Sequence, residues 1–541
     1  MKQKISVGSP SRFTNGYVFL VLTSLGLAIF GVSIFGPFLF DDYGLILRNE
    51  YVQSLSHFLD YFTTNTRAGV FFNDNLYRPL TTTIYAIVYY FFNTHTAPYH
   101  LVNILFHIIN AYIAYLLLTR LRFSQLTALI ASVLFLVHPT QSESVAYISG
   151  LPDVSVGMFV LAGTLCFLNA TAQNKRQIIW TPALFISFIF AVMSKESGVI
   201  LAPLCALLML FNWKTWDGKV KKRAISLISI LFLLTSIYLI LKFTIFNFSD
   251  TLGLMKEDSA YANSVSLRAT TFISTLWKYA VIVFFPKNLY LLKESAIFET
   301  LTLASFFGLT VIIGGLISTL ISLRRKRIFA FCFLWFFIGL IPVSGIFIPM
   351  NSVYFEHWLY LPLLGFTTYV GYLFEKTRLN YPGKRQLLFA IVLAVVLTLS
   401  TRSILRNYQW TNPVSFFQNE LSYNQFAITY NQLGISYMDR EKYSEALQAF
   451  NESLKLDPYY SLSHLNIAKI YMQFNQPDLA LYHITYVLAQ NPNDIPGLLT
   501  LEEIAKLSNK TEIAETLDGI VEQVKNGKKF TFEYLQALIA S

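Results

Sequence analysis

The sequence predicts an all-α protein, in which a polytopic helical membrane domain is followed by a small α-solenoid. Two observations lead to this prediction. First, 54% of the 541 residues are hydrophobic and only 13% are charged, about half the charged fraction of an average soluble domain. Second, residues 1–403 carry 31 Lys+Arg and 16 Asp+Glu, whereas residues 404–541 carry 10 and 15. The basic residues therefore belong to the apolar part, which argues against a nucleic-acid-binding protein with a basic soluble surface.

Apolar stretches of the first 403 residues are candidates for membrane spans, because a spanning helix needs about 20 mostly apolar residues. We expect about eleven spans. Two shorter stretches, 80–92 and 271–285, have polar residues at their ends and are predicted to lie at the outer interface without crossing. The eleven stretches are 17–38, 99–119, 125–138, 153–172, 178–193, 197–211, 225–246, 300–321, 329–349, 358–374 and 387–403.

Clusters of Lys and Arg predict the orientation, because cytoplasmic loops collect these residues. All six clusters fall on one side if the eleven stretches cross the membrane, so the N-terminus is predicted to be cytoplasmic and residues 404–541 to lie outside. Of the 16 acidic residues in this part, only Asp217 and Glu375 then lie on the cytoplasmic side. The carboxylates on the outer face indicate a site there, with ordinary loop solvation as the alternative. The clusters are Lys2/Lys4/Arg12, Arg120/Arg122, Lys175/Arg176, Lys214 to Arg223, Arg324 to Arg327 and Lys376 to Arg385.

The tail repeats itself at a period of 34 residues, the length of a tetratricopeptide repeat (TPR). Residues 427–460 and 461–494 align with each other, and a degraded third unit is predicted over 495–524. Repeat arrays usually bind peptides or proteins in a concave groove, although a structural cap without a partner is the alternative. The matching positions are Tyr430, Leu433, Gly434, Tyr437, Ala446, Phe450 and Pro458, then His464, Ile467, Ala468, Tyr471, Ala480, Ile484 and Pro492.

The predicted domain organisation follows from these two patterns. Residues 1–403 form the membrane domain, residues 404–426 a linker, and residues 427–541 the TPR domain.

Two adjacent carboxylates, Asp41 and Asp42, follow the first predicted span. Such a pair at the mouth of an apolar helix is costly, because partial burial disfavours the charged form. The pair therefore indicates either a cap on a following helix or a chemical role. Adjacent carboxylates can also hold Mg²⁺ or Mn²⁺, so a divalent cation at Asp41 and Asp42 is a candidate cofactor.

Further short motifs face the same outer compartment. Each is weak alone, and Lys195 and Glu196 in particular could form a simple local ion pair. The motifs are Tyr77-Arg78-Pro79-Leu80, Tyr99-His100-Leu101-Val102-Asn103, His138-Pro139 with Glu143, Asp153, Ser194-Lys195-Glu196, and Glu356-His357 with Leu359-Tyr360-Leu361-Pro362. No Walker-type phosphate loop, zinc-ligand spacing or dinucleotide-binding glycine pattern occurs in the sequence.

The order of these motifs, followed by TPR repeats, resembles the transmembrane-and-TPR O-mannosyltransferases and their bacterial relatives, which belong to the GT-C glycosyltransferases. The resemblance covers nearly the whole chain. It implies a GT-C-like membrane domain and an inverting transfer of a sugar, mannose in the first instance, from a polyprenyl phosphate to a hydroxyl of a protein or glycan. It also implies that Asp41 matches the family's catalytic acid, with Asp42 as its partner.

Roles for the remaining motif residues rest on position and charge type. Arg78, Lys195 and His357 are candidates to stabilise the leaving lipid phosphate, which needs positive charge or hydrogen-bond donors. The predicted substrate-binding set is completed by carboxylates that would orient these cations or the sugar hydroxyls, namely Glu143, Asp153, Glu196 and Glu356. Two positions depart from the family pattern: no Arg precedes Asp153, and His357 stands where an Arg is usual.

The short tail favours a bacterial inner-membrane protein with a periplasmic TPR domain, and an endoplasmic reticulum protein with a luminal TPR domain is the eukaryotic equivalent. Expected partners are the lipid-linked sugar, the acceptor, membrane lipid and a protein in the TPR groove, and not nucleic acid. A non-catalytic membrane scaffold is the main alternative. A transporter or lipid flippase would more often show internal hydropathy repeats and charges near span midpoints.

Overall fold

The computed structural model describes residues 14–70, 74–173, 177–248, 260–293, 297–324, 328–350 and 352–540. Helices and their connections account for this part of the chain, and no β-strand occurs in it, which confirms the all-α prediction. The chain divides into two compact units, Met1–Thr411 and Asn412–Ser541. Residues 404–426, predicted as a linker, contain the end of one long helix and the whole of another, Pro413–Leu421.

The first unit contains thirteen α-helices of eight or more residues within its described residues. Their order is α1 Asn15–Phe30, α2 Pro79–Phe92, α3 Thr96–Arg120, α4 Gln125–Val137, α5 Leu151–Ala170, α6 Gln177–Ser194, α7 Leu201–Asn212, α8 Gly218–Thr244, α9 Val265–Phe284, α10 Leu303–Arg324, α11 Ile328–Leu340, α12 Pro362–Asn380 and α13 Arg385–Gln409.

Every stretch predicted to span the membrane contains a helix. Among the described residues, seven helical segments are long and apolar enough to cross by length and composition: Asn15–Phe35, Thr96–Arg120, Ile148–Ala170, Gln177–Ser194, Gly218–Thr244, Leu303–Ile321 and Pro382–Gln409. The chain is thus a multi-pass membrane protein. Neither 80–92 nor 271–285 is among the seven, and the total of about eleven spans stays a prediction because the other four helices are shorter or carry more charge.

Local sequence signals set the ends of several helices. Ser124 and Asp217 accept hydrogen bonds from the backbone N–H groups of Thr127 and Val220 and so cap α4 and α8, as expected for these residue types at an N-cap. A proline at the first position begins α2 and α12, where its missing N–H costs nothing.

Parts of the basic clusters used for orientation lie outside the described residues. These are Lys2, Lys4, Arg12, Lys175, Arg176 and Arg325 to Arg327.

A hydrogen-bonded node ties the late Leu-Tyr-Leu-Pro motif to α3 and α5. Asn110 donates to the Tyr360 hydroxyl at 2.8 Å, and that hydroxyl lies 2.7 Å from Nδ1 of His107. Nε2 of His107 completes the chain at the Leu136 carbonyl, 3.1 Å away. A Cβ at Gly157 would lie 2.5 Å from the Tyr360 ring, so α5 approaches the ring closely only because residue 157 is glycine. This node fixes Tyr360, and with it the late motif, against α3 and α5.

The second unit is a series of helices arranged as the repeat period predicts. Two pairs coincide with the predicted repeats, and a third pair with the predicted degraded unit. Within the first pair, a Cβ at Gly434 would lie 2.5 Å from the Phe450 ring, which explains the small residue at that position. The helices are α14 Pro413–Leu421, α15 Ala427–Met438, α16 Tyr443–Leu456, α17 Ser461–Gln473, α18 Pro477–Gln490, α19 Ile495–Leu507, α20 Thr511–Lys525 and α21 Phe532–Ala540.

Candidate functional site

The loop after α1 places Asp41 and Asp42 in different surroundings. Phe40 adopts φ 49°, a left-handed conformation that is uncommon for a non-glycine residue and turns the chain sharply before the two acids. Asp42 is fully buried, and its oxygens accept from the backbone N–H groups of Leu39 at 2.8 Å and Ser149 at 2.9 Å, and from the Ser149 hydroxyl. Asp42 therefore fastens the first loop to residues 147–149 and does not cap the helical turn that follows it.

Burial dominates the ionisation of Asp42. Loss of water contact raises the pKa of its carboxyl group to about 8, although the hydrogen bonds from Ser149 and Leu39 act in the opposite direction.

Asp41 faces outward. Its side chain is 42% exposed, and its Oδ1 accepts a hydrogen bond from Nη2 of Arg67 at 2.8 Å. Its backbone N–H donates to the hydroxyl of Tyr147 at 2.8 Å. The ring of Tyr147 stacks on Trp410 with a centroid distance of 5.1 Å. Asp41 is thus held at both its backbone and its side chain while one face of the carboxylate remains accessible.

Arg67 is held on its other side by a second carboxylate. Its Nε lies 3.3 Å from Oδ2 of Asp74, which is only 3% exposed. Asp74 in turn accepts from the Thr66 hydroxyl at 2.9 Å and from the backbone N–H of Leu76 at 3.2 Å. Burial alone would lower the pKa of Arg67, but the carboxylates of Asp41 and Asp74 raise it, so the guanidinium stays charged.

The Ser-Lys-Glu motif between α6 and α7 contributes two ion pairs to other segments. Nζ of Lys195 lies 2.6 Å from Oδ1 of Asp153, in the first turn of α5. Oε2 of Glu196 accepts from Arg78 at 3.2 Å and 3.4 Å. Lys195 and Glu196 therefore do not pair with each other. Each of them connects its own loop to a different predicted motif.

The late Glu-His doublet separates in a similar way. Nδ1 of His357 lies 2.7 Å from Oε1 of Glu143, and the backbone N–H of His357 donates to the other carboxylate oxygen at 3.2 Å. Glu356 instead pairs with Lys293 at 2.5 Å, and both side chains are almost completely buried, at 1% and 0% exposure. Burial raises the pKa of Glu356, and the positive charge of Lys293 acts against that rise. Glu356 is therefore enclosed together with Lys293, and His357 is the more exposed member of the doublet.

The pairs combine into a group that we call the charged belt. Asp74 interacts electrostatically with both Arg67 and Arg78, and Arg78 interacts with both Glu196 and Asp153. The first loop is thereby connected to the Ser-Lys-Glu motif. The charged belt comprises Asp41, Arg67, Asp74, Arg78, Glu196, Asp153, Lys195, His357 and Glu143.

A pocket lies at one end of the charged belt. One part of its lining is polar and comes from Asp153, Lys195, Ser197 and His357. The rest is apolar or aromatic, from Val156, Ile200, Gly339, Val343, Trp358, Tyr360, Leu361 and Pro362. The pocket therefore places Lys195 and His357 beside an apolar wall.

Three residues of these ion pairs are not predicted from the sequence. Arg67, Asp74 and Lys293 lie in loops without a recognisable motif, and only their position on the predicted outer side pointed to them. Among the described residues, no group of three or more His, Cys, Asp or Glu side chains is arranged to hold a metal ion. The divalent cation considered for Asp41 and Asp42 would thus find no third ligand of these types there.

Comparisons with known proteins address the whole chain. Residues 76–256 match the family described as dolichyl-phosphate-mannose-protein mannosyltransferase, and residues 427–460 match the tetratricopeptide repeat family. The protein O-mannosyl-transferase TMTC3 of Mus musculus is 24% identical over 518 residues, which cover 88% of this chain and 55% of the relative. TMTC4 of Homo sapiens is 24% identical over 457 residues, covering 74% and 61%.

The chain thus spans little more than half the length of these curated relatives. The solved structure of ArnT from Cupriavidus metallidurans bound to undecaprenyl phosphate aligns with 88% of this chain and 81% of its own, at 14% identity and a TM-score of 0.42, which is too low to establish a common fold. The similarity to TMTC3 covers 88% of this chain, and the two family matches lie in its apolar part and in its repeat region. The chain is therefore similar over most of its length to the protein O-mannosyl-transferases, which confirms the resemblance that its motifs predict.

Proposed function

We propose that this chain is a membrane glycosyltransferase that moves a sugar, mannose in the first instance, from a polyprenyl-phosphate donor to a hydroxyl of a protein or glycan. The observation that carries the proposal is the charged belt. It joins a half-exposed carboxylate, Asp41, to a pocket where Lys195 and His357 stand beside an apolar wall. A prenyl phosphate has the matching form, since an anionic head is attached to a hydrocarbon chain.

The reaction follows from these groups. Asp41 accepts the proton of the acceptor hydroxyl as its oxygen forms a bond to the anomeric carbon. The bond from that carbon to the phosphate oxygen breaks, and the electron pair leaves with the polyprenyl phosphate. Lys195, His357 and Arg78 stabilise the leaving phosphate. One displacement inverts the anomeric centre.

The acids of the charged belt have a supporting role in this proposal. Asp153 and Glu143 hold Lys195 and His357 within 2.7 Å, and Glu196 holds Arg78. Fixed side chains lose less conformational freedom when the donor binds, which favours transition-state stabilisation by preorganised charges.

The distribution of charge supports the proposed location. If the eleven predicted stretches cross the membrane, the clusters of Lys and Arg fall on one side and 14 of the 16 acids of residues 1–403 on the other, so we place the N-terminus in the cytoplasm and the reaction on the outer face. For a bacterial protein that face is the periplasmic side of the inner membrane. The TPR unit then lies in the same compartment as the acceptor and is a candidate to bind it or a protein partner.

The test is direct transfer by the purified protein. Wild-type protein in lipid nanodiscs is incubated with polyprenyl-phosphate mannose or glucose and with candidate periplasmic proteins, and products are identified by mass spectrometry. We expect a hexose on acceptor hydroxyls from one of the two donors, and its loss in Asp41→Asn. Absence of transfer from both donors would contradict the proposal.

One observation favours a different function, a non-catalytic scaffold. Each cation of the charged belt already has an acidic partner, as in a structural ion-pair network. The scaffold predicts that Asp41→Asn leaves cellular function intact while substitutions in the TPR groove abolish it. The glycosyltransferase predicts loss in Asp41→Asn at unchanged expression and folding.

A further inference from the structure

The loop that carries Arg67 is fastened on both sides of this residue. The side-chain amide of Asn49 donates to the Thr66 carbonyl at 3.0 Å, and the backbone N–H of Glu50 donates to the Gly69 carbonyl at 3.0 Å. A Cβ at Gly69 would lie 2.1 Å from Oδ1 of Asn49. The close approach therefore requires glycine, and the backbone beside Arg67 has little freedom to move.

The side chain of Arg67 lies between two carboxylates. Asp74, buried and anchored by Thr66 and Leu76, forms an ion pair with its Nε at 3.3 Å. The Nη2 side reaches Asp41 at 2.8 Å. A planar guanidinium with two fixed carboxylates defines the orientation of the more exposed one.

The two oxygens of Asp41 are consequently not equivalent. Oδ1 accepts from Arg67, whereas the part of the chain that is described offers no hydrogen bond to Oδ2. The side chain is 42% exposed, so the carboxylate can be reached from outside, and Oδ1 is already engaged. Of the two acids, Asp41 is the one that can offer an oxygen to an acceptor hydroxyl, because both oxygens of Asp42 are buried and accept hydrogen bonds.

We propose that Arg67 is a positioning residue for proton transfer, which binds Oδ1 of Asp41 and leaves Oδ2 free for the acceptor hydroxyl. This inference rests on the glycosyltransferase function proposed above. The planar fork of the guanidinium determines which oxygen of Asp41 is occupied. Asp74 acts one step further away by fixing Arg67.

Substitution of Arg67 should change kcat and the KM for the donor to different extents. Arg67→Met removes both charge and geometry, so kcat falls by about 10–100-fold, a part of the roughly 10²–10⁴-fold that a general base contributes. KM for the donor changes less, because the pocket residues are intact.

Two further variants grade the effect. Arg67→Lys keeps a charge without the fork, so kcat should lie between those of Arg67→Met and wild type. Asp74→Asn keeps Arg67 and weakens only its anchor, so a smaller loss of kcat is expected. Arg48→Met is the matched control, because Arg48 is an exposed arginine in the same outer region whose guanidinium lies over the Tyr43 ring at 5.9 Å.

The experiment measures kcat and KM of wild type and these variants in nanodiscs, with thermal unfolding as the folding check. A wild-type kcat in Arg67→Met, a rise in donor KM in place of the fall in kcat, or equal losses in Arg48→Met would overturn the positioning role. If Arg67→Met unfolds, Arg67→Lys and Asp74→Asn carry the decision by the same split between kcat and KM. Wild-type protein without transfer, or a fully active Asp41→Asn, would instead refute the proposed function itself.

Discussion

The early Asp41-Asp42 doublet and the late Glu356-His357 doublet have the same arrangement of a buried and an exposed residue. In each, one residue is buried and fastens the loop, and its neighbour faces the site. Asp42 is bound to residues 39 and 149, and Glu356 is bound to Lys293. Asp41 and His357 are left partly exposed, at 42% and 21%. Each doublet therefore contains one enclosed residue that anchors its loop and one partly exposed residue, and in the proposed function the exposed residue is the one that meets the substrate.

The largest expected effect is that of substituting Asp41, the outward-facing acid of the early doublet. We expect Asp41→Asn to lower kcat by about 10²–10⁴-fold, the contribution of a general base, with thermal stability close to wild type. Transfer from polyprenyl-phosphate sugar and unfolding in detergent are measured on the same preparation. Glu50→Gln, an exposed acid in the same outer region, is the control and keeps its activity. An unfolded Asp41→Asn would contradict the division of roles.

The buried partner of the late doublet predicts a loss of stability. Lys293→Met leaves Glu356 buried without its cation, and breaking a buried pair costs about 3–5 kcal/mol. The double variant Lys293→Met/Glu356→Gln should recover part of this loss, because no uncompensated charge remains. The free energy of unfolding is measured by denaturant titration.

A matched control comes from the TPR unit. Lys455 and Glu452 pair at 2.6 Å with 70% of the lysine side chain exposed, and Lys455→Met should cost at most about 1 kcal/mol. Equal losses of unfolding free energy in Lys293→Met and Lys455→Met would show that burial does not determine how much an ion pair stabilises the fold.

The ionisation of Asp42 gives a pH-dependent test of the early doublet. Its folded-state pKa of about 8 lies above the ordinary value of 3.8, so between these pH values the folded protein binds a proton that the unfolded chain has lost. This group therefore makes the free energy of unfolding fall as pH rises from about 4 to 8, by at most about 1.4 kcal/mol per pH unit. Asp42→Asn should remove this slope, and Asp41→Asn should retain it. Parallel slopes in wild type and Asp42→Asn would refute the assignment.

Features of the fold that depend on residues near each other in the sequence could be predicted, and contacts between distant segments could not. Helices and apolar stretches are local patterns, and the repeat compares segments only 34 residues apart. This explains why the all-α prediction and the two helical hairpins of 427–494 agree with the structure. The motifs located Arg78, Lys195 and Glu143, but not their partners. That Lys195 binds Asp153 and not Glu196 depends on helix packing over 42 positions of sequence.

The roles within each doublet were beyond sequence reasoning for a physical reason. Neighbouring residues in a turn point in different directions, and which one is buried depends on the backbone. At the early doublet the deciding feature is the positive φ of Phe40, and at the late doublet it is the node formed by Tyr360 with His107 and Asn110. Arg67 and Lys293 become relevant only when distant loops close on these turns.

The outward-facing member of the late doublet predicts the smallest effect. In the proposed reaction His357 supplies one of several donors to the leaving phosphate, so His357→Gln should lower kcat by about tenfold, less than loss of the base. His357→Arg should keep or raise kcat, because an arginine stays charged and can bind a phosphate with two hydrogen bonds. His95→Gln is the matched control at an exposed histidine.

Glu143 holds the His357 ring by Nδ1, so Glu143→Gln should lower kcat as His357→Gln does. The double variant should then lose little more kcat than either single variant. Additive losses would mean that the two residues act independently, and the late doublet would then lack the division of roles seen in the early one.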